Sequence, residues 1–336
     1  MNTIRDVANL AKVSIATVSR VLNKTGPVRP ELEQRVLDAV KKLAYQPNKV
    51  ARNLRRSESH TIGVLIPDSR NPFFAELARG VEDFCFSKGY TVVLCNTDER
   101  SDKAISHLNA LYQQRVAGLI VVSPGKITSH LQKLLDRGYP VVIADRPVSA
   151  LETDIVVADN YNGARQATQH LIDLGHRRIG LIVGECYLET VKLRWAGMAD
   201  TLRTAGISLA EGFVYEKGDF LPQSGYAGAE VLLNQNPPPT AIFAFNDLMA
   251  YGVLYYAQMH GWEIPGRLSV IGFDDILIST YTLPSLSTVV QPKYELGQKA
   301  AEMLLSRIQK SKEPLRNIVL PTQLIVRAST GPPGDR

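Results

Sequence analysis

From residue 61 onward, the chain alternates between short apolar runs and longer segments with helical spacing. The runs are rich in β-branched residues and apolar at nearly every position, as in strands buried on both faces. They span residues 61–67, 90–96, 118–122, 140–144, 155–158, 178–183, 240–245 and 268–273. Helical segments between buried strands are typical of a parallel, doubly wound α/β domain. About 270 residues is long for one such sheet, so we predict two doubly wound subdomains with a cleft between them.

The first 60 residues follow a different pattern. Apolar residues recur at helical spacing, and Ser14 stands where it can cap a helix over about 15–23. A Thr-Gly-Pro break over 25–27 precedes a third helical stripe, which Pro30 can begin after Arg29, a poor cap. Three short helices with a tight turn between the first two predict a helix-turn-helix unit.

Charge separates the same two regions. Residues 1–60 hold 12 Lys and Arg against 5 Asp and Glu, a net charge of +7, whereas the remainder carries −2. A basic head on a nearly neutral body is typical of a module that binds a polyanion such as DNA.

Several classes of protein are excluded or disfavoured by what the sequence lacks. Cys85, Cys95 and Cys186 form no CxxC pair, which favours a reducing compartment over a disulfide framework. The N-terminus does not resemble a signal peptide, and no window of about 18 residues is continuously apolar. We therefore expect a cytoplasmic protein without a membrane span.

Motifs of common α/β enzymes are also missing. The sequence contains no GxGxxG, GxxxxGK[ST], GxSxG or HExxH, and its six histidines have no metal-ligand spacing. We expect neither an enzyme nor a bound metal or cofactor. A transport-linked sugar-binding protein is the remote alternative, but a basic head and no signal peptide argue against it.

A series of segments, in order along the chain, points to one family. They are IRDVA (4–8), ATVSRVLN (16–23), YQPN (45–48), IGVLIP (62–67), LIDLGHRRI (171–179), FND (245–247) and VIGFDD (270–275). Together they resemble the LacI/GalR family of transcriptional regulators, and its ribose and purine repressors most of all. The resemblance implies a helix-turn-helix headpiece over 1–46, a hinge over 47–60 and a type I periplasmic-binding-protein-like effector domain over 61–330.

The resemblance also implies the arrangement of the effector domain and its assembly. The N-subdomain is expected at about 61–160 and 292–318, and the C-subdomain at about 161–290 and 319–330. A homodimer on a palindromic operator of double-stranded DNA is expected. The tail over 329–336 has no leucine heptad, so no tetramerising helix is expected.

In the headpiece, the resemblance places Ile15, Ala16 and Arg20 against base edges in the major groove. Arg20 can donate to guanine O6 and N7, whereas Ile15 and Ala16 can contact only a thymine methyl group. Phosphate contacts are expected from Ser14, Thr17, Ser19 and Asn23. In the hinge, Leu54 is expected to wedge a minor-groove step, with Asn48, Ala51, Arg52, Arg55 and Arg56 around it.

Effector candidates stand where predicted strands end, which is where ligands bind in such folds. They are Asn71, Phe73, Asp145, Arg146, Asn160, Thr190, Arg194, Phe220, Asn246, Asp274 and Gln291. Phe74, Asp247 and Asp275 are expected to support the pocket from outside. Such carboxylates, amides and arginines suit a sugar or a purine. Leu188 stands where purine repressors carry an arginine, which favours a sugar, such as a pentose, over a purine or nucleoside.

Overall fold

The computed structural model describes residues 2–23, 25–45, 59–122, 127–148, 150–209, 213–310 and 313–334. The chain divides into two compact units, residues 1–59 and 60–336. Each unit is described by itself below.

The first unit contains helices α1 (Ile4–Ala11), α2 (Ile15–Asn23) and α3 (Pro30–Lys42). Thr3 and Asp6 form a reciprocal capping box at the start of α1. The backbone N–H of Thr17 donates to Ser14 Oγ over 3.1 Å, which confirms the predicted cap of α2. Arg29 provides no side-chain cap to α3, as expected from its chemistry.

The core of this unit is small and made of short side chains. Val7, Val18 and Val36 are fully buried, one from each helix. The Arg35 guanidinium donates to the carbonyl oxygen of Ala11 over 2.6 Å, which ties α3 to the end of α1. Packing of the core therefore holds α2 in place, and the polar residues on the outer face of α2 take no part in that packing.

Within the second unit, the described strands form two six-stranded sheets. The first sheet runs in the order β2-β1-β3-β4-β5, followed at its edge by β11. Its strands are β1 (Thr61–Ile66), β2 (Thr91–Asn96), β3 (Gly118–Val121), β4 (Val141–Ala144), β5 (Asp154–Ala158) and β11 (Asn317–Leu320). All of its pairings are parallel.

The second sheet runs in the order β7-β6-β8-β9-β10, followed at its edge by β12. Its strands are β6 (Ile179–Ile182), β7 (Val214–Tyr215), β8 (Ala241–Ala244), β9 (Ser269–Asp274), β10 (Ser287–Val290) and β12 (Gln323–Ile325). Only β12 pairs antiparallel, against β10. The fold is thus the predicted pair of doubly wound subdomains.

Helices cover the faces of both sheets. They are α4 (Pro72–Ser87), α5 (Ser101–Gln113), α6 (Thr128–Leu135), α7 (Asn160–Asp173), α8 (Glu189–Thr204), α9 (Pro222–Leu233), α10 (Asp247–Met259) and α11 (Lys293–Ile308). No helix within the described ranges is long and apolar enough to cross a membrane.

The chain crosses between the two sheets at three places. It leaves the first sheet after β5, returns to it after β10, and leaves it again after β11. The third crossing follows Leu320, because Asn317–Leu320 pairs along its whole length with β5. The boundary expected near 318 therefore falls inside a strand, and the crossing lies just beyond it.

Every predicted strand is present, with ends that differ by at most one residue. Strands β7, β10, β11 and β12 were not predicted. They are two to four residues long, and β10 begins with Ser-Thr, so none shows a continuous apolar run.

Candidate effector pocket and DNA-reading surface

The carboxyl ends of the strands in the two sheets meet around one cavity. It is lined by Asn71, Phe73, Phe74, Asp145, Arg146, Thr190, Arg194, Phe220, Asn246, Asp274 and Gln291. Ten of the eleven predicted effector residues are in this set, and the eleventh, Asn160, contacts it through Arg194. Phe74, which was expected outside the pocket, lines it because α4 begins at Pro72 and turns both Phe73 and Phe74 inward.

Several lining residues adopt a left-handed backbone conformation that residues other than glycine rarely take. The φ angles of Asp145, Phe220 and Asp274 are 66°, 64° and 124°. Such conformations carry a cost and persist where the surrounding structure holds them, often at functional sites. The ring of Phe220 packs against Gly184. A Cβ atom at position 184 would collide with that ring, so glycine leaves the space that the ring needs.

Arg194, on α8, is the central cation of the pocket. Its side chain is 6% exposed, its Nε donates to Asn160 Oδ1 over 2.7 Å, and its Nη1 donates to the Phe245 carbonyl. The guanidinium lies 3.8 Å from the ring centroid of Phe273, as in a cation–π contact. Burial lowers the pKa of Arg194, although nearby carboxylates oppose that change. These contacts fix the direction in which Arg194 presents its remaining donors.

Asp274 faces Arg194 at the end of β9. Its Oδ1 lies 3.8 Å from Arg194 Nη2 and accepts a hydrogen bond from Gln291 Nε2 over 2.7 Å. Burial raises the pKa of Asp274, and the Arg194 charge opposes the rise. The Lys293 ammonium donates to the Asp274 and Asp275 carbonyls, each over 2.9 Å, which secures the turn after the strand.

Two acceptor atoms in the pocket are buried without a donor among the described residues. They are Asp145 Oδ1 and Gln291 Oε1. Burial also raises the pKa of Asp145, while Arg146 and Arg194 lower it. Because an unsatisfied buried acceptor costs about 1–3 kcal/mol, these atoms favour a ligand that supplies hydrogen-bond donors.

Arg146 forms the wall between the pocket and the mouth of the cleft. Its guanidinium carbon lies 5.4 Å from the ring centroid of Phe74 and 5.3 Å from that of Phe220, so two aromatic faces hold it. The pocket behind it measures about 20 Å³, room for one water molecule. The mouth in front of it measures about 460 Å³. In this structure the pocket therefore has no room for a ligand as large as a sugar.

The remaining candidate residues each have a structural role, either in capping a helix or in packing. Asn71 caps α4 by accepting from Phe73 N–H, and Asn246 caps α10 by accepting from Met249 N–H. Asn246 also donates to the Phe220 carbonyl over 3.1 Å. Thr190 is buried on the first turn of α8.

Asp247 and Asp275, two of the three residues expected outside the pocket, do lie outside its lining. Asp247 accepts from Ser279 Oγ, Thr288 Oγ1 and the Ile276 N–H, and Asp275 pairs with Arg327, so both lie outside the lining as expected. Leu188 is 5% exposed and belongs to the apolar core of the second subdomain. Its position offers no polar group to a base.

On the headpiece, Ser14 is exposed just before α2, Ile15, Ala16 and Arg20 are exposed on α2, and Thr17 and Ser19 are half-buried. Ile15 is 39% exposed, a large apolar group that the core does not use. The side chain of Asn23 lies outside the described residues, as do the hinge candidates Asn48, Ala51, Arg52, Leu54, Arg55 and Arg56.

Comparisons with known proteins match both units. Residues 3–48 match the model of bacterial regulatory proteins of the lacI family, and residues 168–330 match that of the periplasmic binding protein-like domain. The chain is 41% identical over 330 residues to the ribose operon repressor of Halalkalibacterium halodurans, covering 98% of this chain and 97% of that protein. It is 38% identical over 332 residues to the transcriptional repressor PurR of Aliivibrio salmonicida, covering 98% and 99%.

Solved structures agree with the fold. The lac repressor dimer bound to operator and the anti-inducer ONPF superimposes with a TM-score of 0.88 at 29% identity, covering 98% of this chain and 99% of that one. A LacI family regulator from Enterococcus faecium with bound ribose gives a TM-score of 0.74 at 34% identity, covering 81% and 99%.

A helix-turn-helix unit and a two-subdomain effector domain together define a DNA-binding transcriptional regulator that responds to a small molecule. The chain belongs to the LacI family of bacterial regulatory proteins.

Proposed function

We propose that this regulator is a cytoplasmic repressor whose operator affinity is controlled by a pentose sugar bound between the subdomains. The observation that carries the choice of ligand is the pair of buried acceptors, Asp145 Oδ1 and Gln291 Oε1, beside Arg146 and Arg194. Sugar hydroxyl groups both donate and accept, so neighbouring hydroxyls can satisfy the acceptors and the guanidinium donors together. The rings of Phe73, Phe74 and Phe220 suit the C–H faces of a small sugar ring.

A purine or nucleoside effector is the second candidate, since PurR proteins are among the relatives. A buried base needs polar partners along its edge. Leu188, in the apolar core, supplies none, and the residues that line the pocket are consistent with a sugar. A related regulator with bound ribose and a ribose operon repressor at 41% identity support the pentose.

The deciding experiment is isothermal titration of the full-length protein with ribose, arabinose, xylose, glucose, adenosine, hypoxanthine and guanine. We expect one pentose to bind, and Asp145→Asn to weaken it, because the substitution replaces one oxygen of the acceptor with an NH₂ donor. Asp136→Asn, an exposed aspartate on the surface, is the matched control. Selective binding of a purine would establish the second candidate. Release or strengthening of operator binding by the bound sugar defines the sign of control.

DNA binding is assigned to the basic headpiece through the exposed start of α2. Deleting residues 1–60 removes a net charge of +7 and the whole headpiece, and leaves the second compact unit. We expect this variant to lose operator binding and keep the sugar affinity of the full chain. A truncated protein that still retards operator DNA would contradict the assignment.

A homodimer completes the proposal. The segment from Leu277 to Leu283 exposes apolar side chains, with Leu277, Tyr281 and Leu283 exposed by 71%, 74% and 96%. Contiguous apolar surface of this kind marks interfaces in oligomers. Light scattering on Leu277→Asp/Tyr281→Asp should show a monomer that no longer binds a palindromic operator tightly. An unchanged dimer would place the interface elsewhere.

Binding without turnover is part of the same proposal. The pocket residues hold and orient a ligand, and relatives at 38–41% identity are repressors. Incubation of the protein with the bound sugar, followed by mass analysis, should return the sugar unchanged.

A further inference from the structure

Glu99 lies at the mouth of the cleft and acts on the pocket through Arg146. Its Oε1 accepts from Arg146 Nη1 over 2.5 Å, and its side chain is 35% exposed while that of Arg146 is 7% exposed. The loop after β2 holds it there with two consecutive left-handed residues, Asp98 at φ 51° and Glu99 at φ 55°. Backbone hydrogen bonds from Thr97 and Asp98 to the Ile66 and Pro67 carbonyls fix this loop against the end of β1.

The cations around the pocket and its mouth each have a carboxylate partner. Arg70 pairs with Asp68 at 2.8 Å and Lys103 pairs with Asp98 at 2.5 Å, both at the mouth. Inside, Arg194 faces Asp274 at 3.8 Å. Arg146 is the cation shared by pocket and mouth, and Glu99 is its closest partner.

Two further acidic side chains lie there, Asp145 in the pocket and Asp219 at the mouth. Among the described residues that line the pocket and its mouth, an anion entering the cleft therefore meets no cationic side chain without an acidic side chain beside it.

We infer that Glu99 is a specificity-determining, positioning residue: by neutralising Arg146, it makes the sensor select an uncharged sugar over the phosphate ester of that sugar. This inference rests on the proposed function. The free sugar meets Arg146 as an oriented hydrogen-bond donor. A phosphate group, which carries close to two negative charges, meets instead a guanidinium whose charge Glu99 already offsets.

Removing the Glu99 charge should raise the affinity for ribose 5-phosphate relative to ribose, which the loss of a merely structural residue would not do. Two unit charges several ångströms apart at an effective dielectric constant near 20 interact strongly enough to change an affinity on the order of tenfold. In Glu99→Gln, the amide keeps the size of the side chain and loses the charge. We expect ribose to bind more weakly and ribose 5-phosphate to bind on the order of tenfold more tightly relative to ribose.

The experiment is calorimetric titration of the full-length wild type, Glu99→Gln and Glu99→Asp with D-ribose and D-ribose 5-phosphate. Glu99→Asp keeps the charge on a shorter side chain, so it should keep the preference for ribose even if both affinities fall. Glu302→Gln is the matched control, because it removes a surface partner of Lys299, 2.8 Å away, on α11. It should match the wild type with both compounds.

The outcomes separate the two proposals. Wild type that binds ribose 5-phosphate more tightly than ribose contradicts this inference and keeps the pentose assignment. An unchanged preference in Glu99→Gln also contradicts only this inference. Wild type that binds neither compound contradicts this inference for ribose, and it contradicts the proposed function as well when arabinose and xylose also fail to bind.

Discussion

Arg20 in the headpiece and Arg194 in the candidate effector pocket are two arginines in opposite environments. Arg20 stands exposed on α2, in a region with a net charge of +7. Arg194 is almost fully buried, and Asn160, the Phe245 carbonyl and Phe273 hold it in one orientation. DNA carries its charge on the surface, so a reader of DNA needs exposed cations. A small neutral ligand is recognised by oriented groups in a closed cavity. A protein that senses such a ligand therefore needs buried cations whose charge is offset by neighbouring carboxylates.

This difference predicts different costs for removing the two arginines. Truncating one member of a buried charge pair costs about 3–5 kcal/mol, because the other member is left without its partner. Truncating an exposed base-reading arginine costs about 1–3 kcal/mol, the value of its contacts to guanine.

The largest effect is expected for Arg194→Met. The substitution leaves Asp274 and Asn160 without their cation, so effector affinity should fall more than 100-fold in calorimetric titration. Lys192→Met, on the exposed side of the same helix, is the control and should bind normally. Affinity within threefold of the wild type would show that Arg194 is only structural.

Arg20→Ala should weaken binding to an operator selected from random DNA by roughly 5- to 150-fold, corresponding to about 1–3 kcal/mol. Fluorescence anisotropy on operator and on unrelated DNA measures the change. The loss should be larger on the operator, since base contacts carry specificity and phosphate contacts do not. Lys41→Ala, on the exposed side of α3, should lower both affinities slightly and equally. Equal losses for Arg20→Ala would make that residue a phosphate contact.

His176 in the effector domain provides a pH test of the buried region. Its ring contacts Thr240 Oγ1, Ser269 Oγ and the Gly331 carbonyl at 2.9–3.0 Å, and burial lowers its pKa. A lowered pKa in the folded state means that the unfolded chain takes up the proton first as pH falls. The free energy of unfolding should therefore be highest above the ordinary histidine pKa, about 6.5, and should decrease below it.

Chemical unfolding of the second unit between pH 5 and 8 measures that dependence. His176→Gln should be less stable above pH 7 and should lack this part of the decline at lower pH. His60→Gln changes an exposed histidine and should follow the wild type. A decline of the same steepness in His176→Gln would assign the pH dependence to other groups.

The smallest effect is expected in the headpiece, where Arg29 precedes α3 without capping it. Arg29→Ser supplies an oxygen for the free N–H groups of the first turn and should raise headpiece stability by about 1 kcal/mol. Arg29→Ala removes the same charge without adding a cap and should not stabilise. Thermal unfolding of the headpiece distinguishes them, and equal stability of the two variants would mean that the turn has no free donor to satisfy.

Residues at predicted strand ends could be located from the sequence, because parallel strands place their carboxyl ends on one edge. Asp145 was located in this way. Asn246 and Asp274 also stand at strand ends, but the family resemblance was needed to place them, like Arg194, in the pocket. Phe74 was misplaced, since helical spacing alone does not say which residues at the start of a helix turn inward.

Glu99 had no sequence signal at all. Its position depends on two left-handed residues in a loop, and neither is a glycine that would reveal the turn. The short strands β10, β11 and β12 were also not predicted from the sequence. β10 begins with Ser-Thr and lacks a continuous apolar run, and β11 pairs with β5, a partner far away in the chain.

The three crossings between the sheets have a consequence for recombination. Because the chain passes between subdomains after β5, after β10 and after β11, neither subdomain is a continuous stretch of sequence. A single gene exchange with a relative at the first crossing, after β5, takes Arg146 from one parent and Arg194 from the other, and so divides the lining of the pocket between them. New effector specificities in such a domain arise more readily through point substitutions in the pocket than through exchange of whole segments, whereas the headpiece is continuous and can be exchanged in one piece.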